Sequence, residues 1–209
     1  MSKRNGRSGE GRWHVAIASG ALAALWFAML TVGTGSADDD ILRTLYAGGH
    51  PMVVAIARGF TFLGDSSFGL PFVVVAIGLL AWFKGRRAAV TAFLVIAVGR
   101  VLVEAQKHAI ARLRPADEVH LVPVSTLSFP SGHSANSMIV CLTLAILFFS
   151  DTPWKRPAVA VGFVLSLCIG LSRVMLGVHW PTDVIGGWAF GLLWVLLALP
   201  LAERLVERC

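Results

Sequence analysis

The feature that most constrains this chain is a series of apolar segments long enough to cross a membrane. A helix needs about 20 consecutive, mostly apolar residues to span the hydrocarbon core of a bilayer. Such runs lie at residues 13–33, 68–83, 88–107, 133–149, 158–176 and 183–202. Only 14% of the residues are charged, well below the roughly 25% found in soluble domains. The sequence therefore predicts an all-α polytopic membrane protein. It would form a single six-helix bundle over residues 13–209, preceded by a basic tail at residues 1–12.

The first apolar run has two interpretations. It follows a basic tail, and Gly35-Ser36-Ala37 resembles the small-residue site at which a signal peptide is cleaved. The apolar core is longer than the usual 7–15 residues of a signal peptide. We therefore favour a retained span. In either case the segment that follows would lie outside the cytoplasm.

Basic residues fix the orientation expected for the bundle, because cytoplasmic loops are enriched in Lys and Arg. A six-span layout places the following basic residues on one side: Lys3, Arg4, Arg7, Arg12, Lys84, Arg86, Arg87, Lys155, Arg156, Arg204 and Arg208. Both termini are then predicted to be cytoplasmic.

A further apolar segment at residues 52–64 is too short to span a bilayer and carries Arg58 near its middle. A charge at the bilayer centre costs at least ~2.5–3.5 kcal/mol. Counting this segment as a span would also move Lys84 to the outside. We therefore interpret it as interfacial or re-entrant.

The net charge of +6 does not indicate nucleic-acid binding. The basic residues lie at the ends of apolar runs, and they do not form a face with interleaved aromatic residues.

One loop departs from the rule that basic residues concentrate in cytoplasmic loops. Residues 107–131 are expected outside, yet they hold several cations and histidines. Some other requirement must keep these charges there.

The first cluster with possible chemistry is KHAIARLRP at residues 107–115. Lys107 and Arg114 are seven residues apart, about two helical turns, so they would share a face of a continuous helix. Pro115 disfavours the helical conformation at Arg114, so we expect the third span to end there. Taken alone, the cluster has a simpler explanation, in which two cations at the end of a span reach towards water.

The second cluster is PSGH at residues 130–133. Ser131 or Ser134 can cap the following helix, with Pro130 just outside it. Capping does not require Gly132 or His133. Free backbone amides at a helix start, with a glycine that permits close approach, form an anion site. His133 beside such a site can give a proton to a departing oxygen. The four residues alone leave capping and catalysis equally open.

The third cluster is SRVMLGVHWPTD at residues 172–183. Pro181 suits the first position of the sixth helix, which places Asp183 in its first turn and His179 just before it. An acid in a first turn also offsets the helix dipole. Alternatively, Asp183 orients the His179 ring and raises the basicity of its other nitrogen. Arg173 supplies a planar cation suited to phosphate.

All three clusters fall at the same, outer end of the predicted bundle. Together they offer three cations, helix-start amides and two histidines, which are the groups that phosphoryl transfer requires. No GxxxxGK[ST] loop indicates nucleotide binding. The acidic runs at 38–40 and 117–118 lack partner ligands at a spacing suited to magnesium.

These residues resemble the type 2 phosphatidic acid phosphatases, which share an active site with the vanadium haloperoxidases. The family signatures are K-x6-R-P, P-S-G-H and S-R-x5-H-x3-D. Their counterparts here are Lys107…Arg114-Pro115, Pro130-Ser131-Gly132-His133 and Ser172-Arg173…His179…Asp183. All three are complete, in order and correctly spaced, and the likeness in layout covers nearly the whole chain.

The resemblance implies a role for each matched position. His179 would be the nucleophile that forms a phosphohistidine, Asp183 would orient it, and His133 would protonate the leaving group. The phosphate-binding positions would be Lys107, Arg114, Ser131, Gly132 and Arg173. The resemblance also implies no metal and no cofactor. The substrate would be a lipid phosphate or diphosphate, such as an isoprenyl diphosphate, phosphatidate or phosphatidylglycerophosphate, hydrolysed at the outer face of the cell membrane. Separately from the resemblance, we hypothesise that residues 38–64, which are acidic and then apolar with few charges, shape a lateral entry for the lipid.

Two other functions are compatible with parts of this pattern. A catalytically silent scaffold or transporter on the same fold would be expected to lack one of the histidines, and both are present. Haloperoxidase chemistry is expected in a soluble chain, which the apolar runs do not favour.

Four charged or titratable residues lie close to the motifs without matching them. We interpret His108 and Arg112 as rim residues that reach towards water. Arg100 and Glu104 are four residues apart within the third span. An ion pair between them would satisfy both charges.

Overall fold

The computed structural model describes residues 5–116 and 120–207, and within them the chain folds into eight helices connected by short turns and one longer loop. The helices are α1 (Asn5–Val32), α2 (Ser36–Leu45), α3 (Pro51–Gly64), α4 (Ser66–Lys84), α5 (Arg86–Ile110), α6 (Gly132–Phe148), α7 (Lys155–Met175) and α8 (Pro181–Glu207). Asp117, Glu118 and Cys209 lie outside the described residues.

The six predicted apolar runs correspond to α1 and to α4 through α8. Five of these helices are long and apolar enough to cross a membrane, with the membrane-compatible part of α1 beginning at Trp13. The sixth, α6, has only 17 residues. The segment with Arg58 forms the separate 14-residue helix α3. The all-helical, multi-pass character predicted from the sequence is therefore confirmed.

Helix α6 lies at the centre of the bundle and packs against α5, α7 and α8. Its contact with α8 is close because Gly187 and Gly191 lie one turn apart on the facing side of α8. A Cβ at Gly187 would lie 2.8 Å from the Ser131 carbonyl oxygen, and a Cβ at Gly191 would lie 2.8 Å from Met138 Cβ. Small residues let helix backbones approach where lipid gives no hydrophobic drive for association. The start of α6 is thereby held against the start of α8.

The outer surface of the bundle is strongly apolar. Val74 and Trp82 of α4, for example, expose 70% and 83% of their surface. A contiguous apolar surface of this extent is expected where lipid rather than water is the solvent. The core beneath is filled by residues such as Leu80, Val95 and Met138.

The end of α5 differs from the sequence expectation. The helix ends at Ile110, four residues before Arg114, and Ala111 takes the left-handed conformation with φ of 54°. Its backbone N–H donates to the Lys107 carbonyl, which closes the last turn. Lys107 and Arg114 therefore do not share a helix face. They meet because the chain turns back on itself after Ala111.

The two ends of the bundle are chemically different. At one end the turn after α4 faces the turn after α6, and Lys84 forms an exposed ion pair with Asp151 at 3.4 Å. At the other end lie the C-termini of α5 and α7, the N-termini of α6 and α8, and the loop segments at residues 111–116 and 120–131. All three sequence clusters lie at this second end.

Candidate active site

The three clusters converge on one cavity of about 540 Å³. Six of the predicted site residues line it: Lys107, Arg114, Gly132, His133, Arg173 and His179. The other two, Ser131 and Asp183, are fully buried and contact each other through the backbone. The eight positions therefore form one site, although they come from four separate segments.

His179 precedes α8 and is buried, with 1% of its surface exposed. Its Nδ1 lies 3.3 Å from Asp183 Oδ2 and 3.3 Å from the Ser128 hydroxyl. A carboxylate on Nδ1 favours the tautomer that carries the proton there. The lone pair of Nε2 is then left for the cavity, which is the arrangement that a nucleophile needs.

The protonation state of His179 also suits a nucleophile. Burial lowers the pKa of the imidazole well below its usual range, and the positive charges of Arg114, Arg173 and Lys107 lower it further. The ring is therefore neutral at physiological pH and has a lone pair available.

Arg112, which we interpreted as a rim residue, instead holds Asp183 in place. Its side chain is only 9% exposed, and its Nη1 donates to Asp183 Oδ1 at 3.0 Å. Its Nη2 donates to the carbonyls of Met29 and Leu30 at the end of α1. The guanidinium also lies 4.3 Å from the ring centroid of Phe129. The rim interpretation was wrong because the turn at Ala111 directs this residue into the bundle.

Two more residues that stabilise the start of α8 were missed in the sequence. The Ser128 hydroxyl donates a short hydrogen bond to Asp183 Oδ2 and lies beside His179. Asp38 of α2 is buried and accepts the backbone N–H of Thr182 at 3.0 Å. It thereby satisfies one of the free amides at the start of α8. A serine two residues before the PSGH segment carries no sequence signal of its own. Asp38 belonged to an acidic run that we assigned only to an exported segment.

Lys107 and Arg114 both form hydrogen bonds with the loop that follows α5. Lys107 Nζ donates to the Thr126 hydroxyl at 3.2 Å and to the Leu127 carbonyl at 3.3 Å. Arg114 donates to the Thr126 carbonyl at 2.6 Å and to the Thr126 hydroxyl at 3.0 Å. These contacts bring the ammonium and the guanidinium to the same threonine. Two cations so placed are suited to the oxygens of a phosphoryl group.

Arg173 approaches the cavity from the end of α7. The residue is 4% exposed and donates to the Thr61 hydroxyl of α3. Its Nε is buried and has no hydrogen-bond partner among the described residues. A buried donor without a partner destabilises the folded protein. A bound anion would accept a hydrogen bond from this Nε and remove that cost.

The start of α6 differs in part from the expectation for PSGH. Ser131 occupies the N-cap position, but its side chain makes no capping hydrogen bond. Its backbone N–H donates to the Asp183 carbonyl at 3.0 Å, so this amide cannot serve a phosphate. Gly132 lines the cavity, and a Cβ there would lie 3.5 Å from Lys107 Nζ. His133 Nε2 is buried without a partner among the described residues.

The expected ion pair between Arg100 and Glu104 does not form. Arg100 Nη2 instead donates to the Ser66 hydroxyl of α4 at 2.8 Å, and no ion pair joins Arg100 to Glu104 among the described residues. Both side chains line the cavity. The ion pair expected for an isolated helix is absent because the packed helices give Arg100 another partner, the Ser66 hydroxyl, and leave Glu104 facing the cavity.

Within residues 5–116 and 120–207, no three His, Cys, Asp or Glu side chains are grouped as metal ligands would be. The charged side chains that line the cavity are mainly cations. Such a donor set is suited to an anionic group rather than to a metal ion.

A family model for the PAP2 superfamily matches residues 88–207, which is more than half of the chain. The matched region contains all eight predicted site positions. It excludes α1 through α4, which supply Asp38, Thr61 and Ser66.

Among curated proteins, the chain is 34% identical to phosphatidylglycerophosphatase B of Bacillus subtilis over 182 residues, which covers 85% of this chain and 89% of that protein. It is 32% identical over 133 residues to an undecaprenyl-diphosphatase of Sulfolobus acidocaldarius, which covers 60% and 62% of the two chains. Among solved structures, it matches a transmembrane PAP2-type phosphatidylglycerolphosphate phosphatase from Bacillus subtilis. The TM-score is 0.81 at 30% identity, with 89% of this chain and 96% of that one covered.

Proposed function

The chain belongs to the PAP2 superfamily and is a membrane lipid phosphatase, and we propose that it hydrolyses a lipid phosphate or diphosphate at the extracytoplasmic face through a phosphohistidine on His179. The observation that carries this proposal is the buried His179, which is oriented through Nδ1 at 3.3 Å from Asp183 and lines a cavity together with Lys107, Arg114 and Arg173.

The first chemical step transfers the phosphoryl group to the enzyme. His179 Nε2 attacks phosphorus and forms the N–P bond while the bond from phosphorus to the leaving oxygen breaks. That oxygen takes a proton from His133, which becomes neutral. Lys107, Arg114 and Arg173 stabilise the negative charge on the non-bridging oxygens of the transition state.

The second step releases phosphate. A water molecule gives a proton to His133 and attacks phosphorus, and the N–P bond breaks. His179 is thereby regenerated, inorganic phosphate is released and His133 is again ready to act as an acid. One histidine thus serves as acid in the first step and as base in the second.

A lipid substrate is supported by a second, apolar cavity of about 250 Å³ beside the first. Phe68, Phe72 and Val73 of α4 and Ile139 of α6 line it. Five residues line both cavities: Gly64, Asp65, Ser66, Arg100 and Asn136. A phosphate in the polar cavity would therefore have its hydrocarbon chain beside the gap between α4 and α6. Because α3 borders the polar cavity, residues 38–64 would shape the entry.

The orientation rests on the charge distribution. The end of the bundle opposite the site carries Lys84, Arg86 and Arg87 together with Lys155 and Arg156. Cytoplasmic loops are enriched in such residues. We therefore assign that end, and both termini, to the cytoplasm, with six spans that include the short α6. The contacts of Arg112 with the end of α1 support a retained first span.

The mechanism predicts metal-independent hydrolysis and a covalent intermediate. Purified full-length protein would be incubated in EDTA with phosphatidylglycerophosphate, phosphatidate, undecaprenyl diphosphate and lipid A, and released phosphate would be measured. We expect release from at least one lipid, and an acid-labile, base-stable phosphoenzyme after rapid quenching with a ³²P-labelled substrate. Absence of release from every lipid, or strict dependence on magnesium, would contradict the proposal.

The orientation has a separate test. Single cysteines would replace the exposed Leu113, beside the site, and Arg86, at the opposite end, in a background with the native cysteines changed to alanine. A membrane-impermeant maleimide should label the first and not the second in intact cells. The reverse pattern would place the site in the cytoplasm.

A further inference from the structure

Three charged residues line the polar cavity from a single face of α5. Arg100, Glu104 and Lys107 are spaced i, i+4 and i+7, which places them above one another on a helix. All three line the cavity. Because α5 rises about 1.5 Å per residue, Arg100 lies roughly 10 Å deeper along the helix than Lys107. The face therefore presents a cation, then an anion, then a cation.

Arg100 lies where the polar cavity meets the apolar one. It lines both, as does Asn136 of α6, whereas Glu104 and Lys107 line only the polar cavity. Lys107 contacts the loop that also binds Arg114. A lipid bound with its terminal phosphate at Lys107 would therefore lie beside Glu104, then beside Arg100, and would place its hydrocarbon chain in the apolar cavity.

Arg100 has donors to spare. Within the described part of the chain its guanidinium makes one hydrogen bond, to the exposed Ser66 hydroxyl, and no ion pair. A guanidinium carries five N–H donors. Charged residues inside membrane spans are costly and usually functional. Because Arg100 uses only one of these donors within the described residues, the remaining donors are available for a ligand.

Building on the proposed function, we propose that Arg100, with Asn136 beside it, binds a second, lipid-proximal phosphoryl group, and that Glu104 accepts a hydrogen bond from a hydroxyl between the two phosphoryl groups. The preferred substrate class is then a lipid with a terminal phosphomonoester and an inner phosphodiester joined by a hydroxylated spacer.

The order of charges distinguishes this class from the alternatives. Phosphatidate has no second phosphoryl group and leaves Arg100 without a ligand. A prenyl diphosphate has two adjacent phosphoryl groups and no hydroxyl, so its inner phosphate would lie near the Glu104 carboxylate and be repelled. A glycerol spacer places the hydroxyl opposite Glu104 and the phosphodiester opposite Arg100.

The test compares kcat/KM of purified wild-type and Arg100→Gln protein on phosphatidylglycerophosphate, phosphatidate and undecaprenyl diphosphate. We expect the substitution to lower kcat/KM for phosphatidylglycerophosphate by about 10- to 100-fold, the effect of a lost charge-assisted contact. The decrease for the other two lipids should be several-fold smaller. An equal loss on phosphatidate would overturn the second subsite, and an equal loss on undecaprenyl diphosphate would overturn the assignment of a spacer.

Glu104→Gln tests the anion between the two cations. It should lower kcat/KM for phosphatidylglycerophosphate while raising it for undecaprenyl diphosphate, because a repulsion is removed. A parallel fall on both lipids would contradict the role given to Glu104. Arg43→Gln is the matched control, since Arg43 is exposed and forms an ion pair with Asp39 on the surface of α2.

A binding measurement separates this inference from the proposed function. Glycerol 1,3-bisphosphate and glycerol 3-phosphate would be titrated into wild-type and Arg100→Gln protein by calorimetry, where no turnover is needed. We expect wild type to bind the bisphosphate at least ~10-fold more tightly, and the variant to lose this preference. Equal affinities in wild type would overturn the subsite even if lipids are hydrolysed. Failure of wild type to hydrolyse any lipid would count against the proposed function alone.

Discussion

The two histidines of the cavity lie in opposite kinds of surroundings. His179 is held from behind by Asp183 and Ser128, and Asp183 in turn accepts hydrogen bonds from Arg112 and from the Trp180 backbone N–H. His133 has a buried Nε2 without a partner among the described residues. Two nearby hydroxyls, those of Ser131 and Ser134, are also buried without partners there.

This difference matches the two roles proposed for the histidines. A nucleophile must be fixed in one tautomer before the substrate arrives, so the protein supplies its partners. A general acid needs the leaving oxygen itself as partner, and the substrate brings that oxygen. The protein therefore supplies the hydrogen-bond partners of His179, whereas the lipid would supply the partner of His133.

The largest effect should come from removing the fixed histidine. His179→Gln should lower kcat for every phosphate ester by about 10⁴-fold or more, because no covalent intermediate can form. Rapid-quench measurement should also find no phosphoenzyme. His108→Gln is the matched control, since His108 is exposed and lies outside the motifs. Retention of the phosphoenzyme in His179→Gln would mean that another residue is the nucleophile.

The unpartnered histidine should respond differently. His133→Gln should lower hydrolysis of a lipid phosphate by about 10²- to 10⁴-fold, the usual contribution of general acid catalysis. The loss should be much smaller with p-nitrophenyl phosphate, because a nitrophenolate departs without being protonated. Comparing the two substrates therefore distinguishes an acid from a structural residue. Equal losses would remove the contrast between the two histidines.

Weakening the support behind His179 should give a smaller, mixed effect. Arg112→Gln leaves the Asp183 carboxylate buried without its ion-pair partner, which typically costs about 3–5 kcal/mol of stability. We expect a lower unfolding temperature in detergent and a fall in kcat with little change in KM, since Arg112 lies behind the cavity wall. Arg112→Lys keeps the charge without the planar guanidinium. Its unfolding temperature and kcat should lie between those of wild type and Arg112→Gln. An unchanged unfolding temperature would contradict the role of Arg112.

The smallest effect concerns pH. His179 has a lowered pKa in the folded protein, whereas histidine in an unfolded chain takes up a proton near pH 6.5. Below about pH 6.5 the unfolded state therefore binds more protons, and stability decreases as pH falls, by at most about 1.4 kcal/mol per pH unit. The unfolding temperature should decline less between pH 7 and pH 5 in His179→Gln than in wild type. His50→Gln, at an exposed position, should decline like wild type.

Much of the site was visible in the sequence because its residues recur at fixed spacings. The His179–Asp183 pair followed from Pro181 at the first position of α8, and the structure places the ring and the carboxylate 3.3 Å apart. The helices followed from the length of the apolar runs. These features depend on local spacing, which the chain carries in itself.

Residues that act across the fold were misjudged or missed. Arg112 was assigned to the rim because its position matches no motif residue. Its carboxylate partner, Asp183, is 71 residues away in the sequence, so no local spacing could reveal the pair. Arg100 and Glu104 were paired because an isolated helix offers each only the other. Asp38 and Ser128 gave no signal because their partners, Thr182 and Asp183, are brought to them by packing.

The sequence by itself determined the helical membrane fold and the groups available for phosphoryl transfer, since apolar length and motif spacing are local properties. Only the tertiary structure decided which groups are satisfied and which remain open. The turn at Ala111 brings Lys107 and Arg114 to the same threonine. The packing of α6 against α8 uses the Ser131 amide to bind the Asp183 carbonyl. Hydrogen bonds and desolvation depend on neighbours distant in sequence, and those neighbours exist only once the helices have packed.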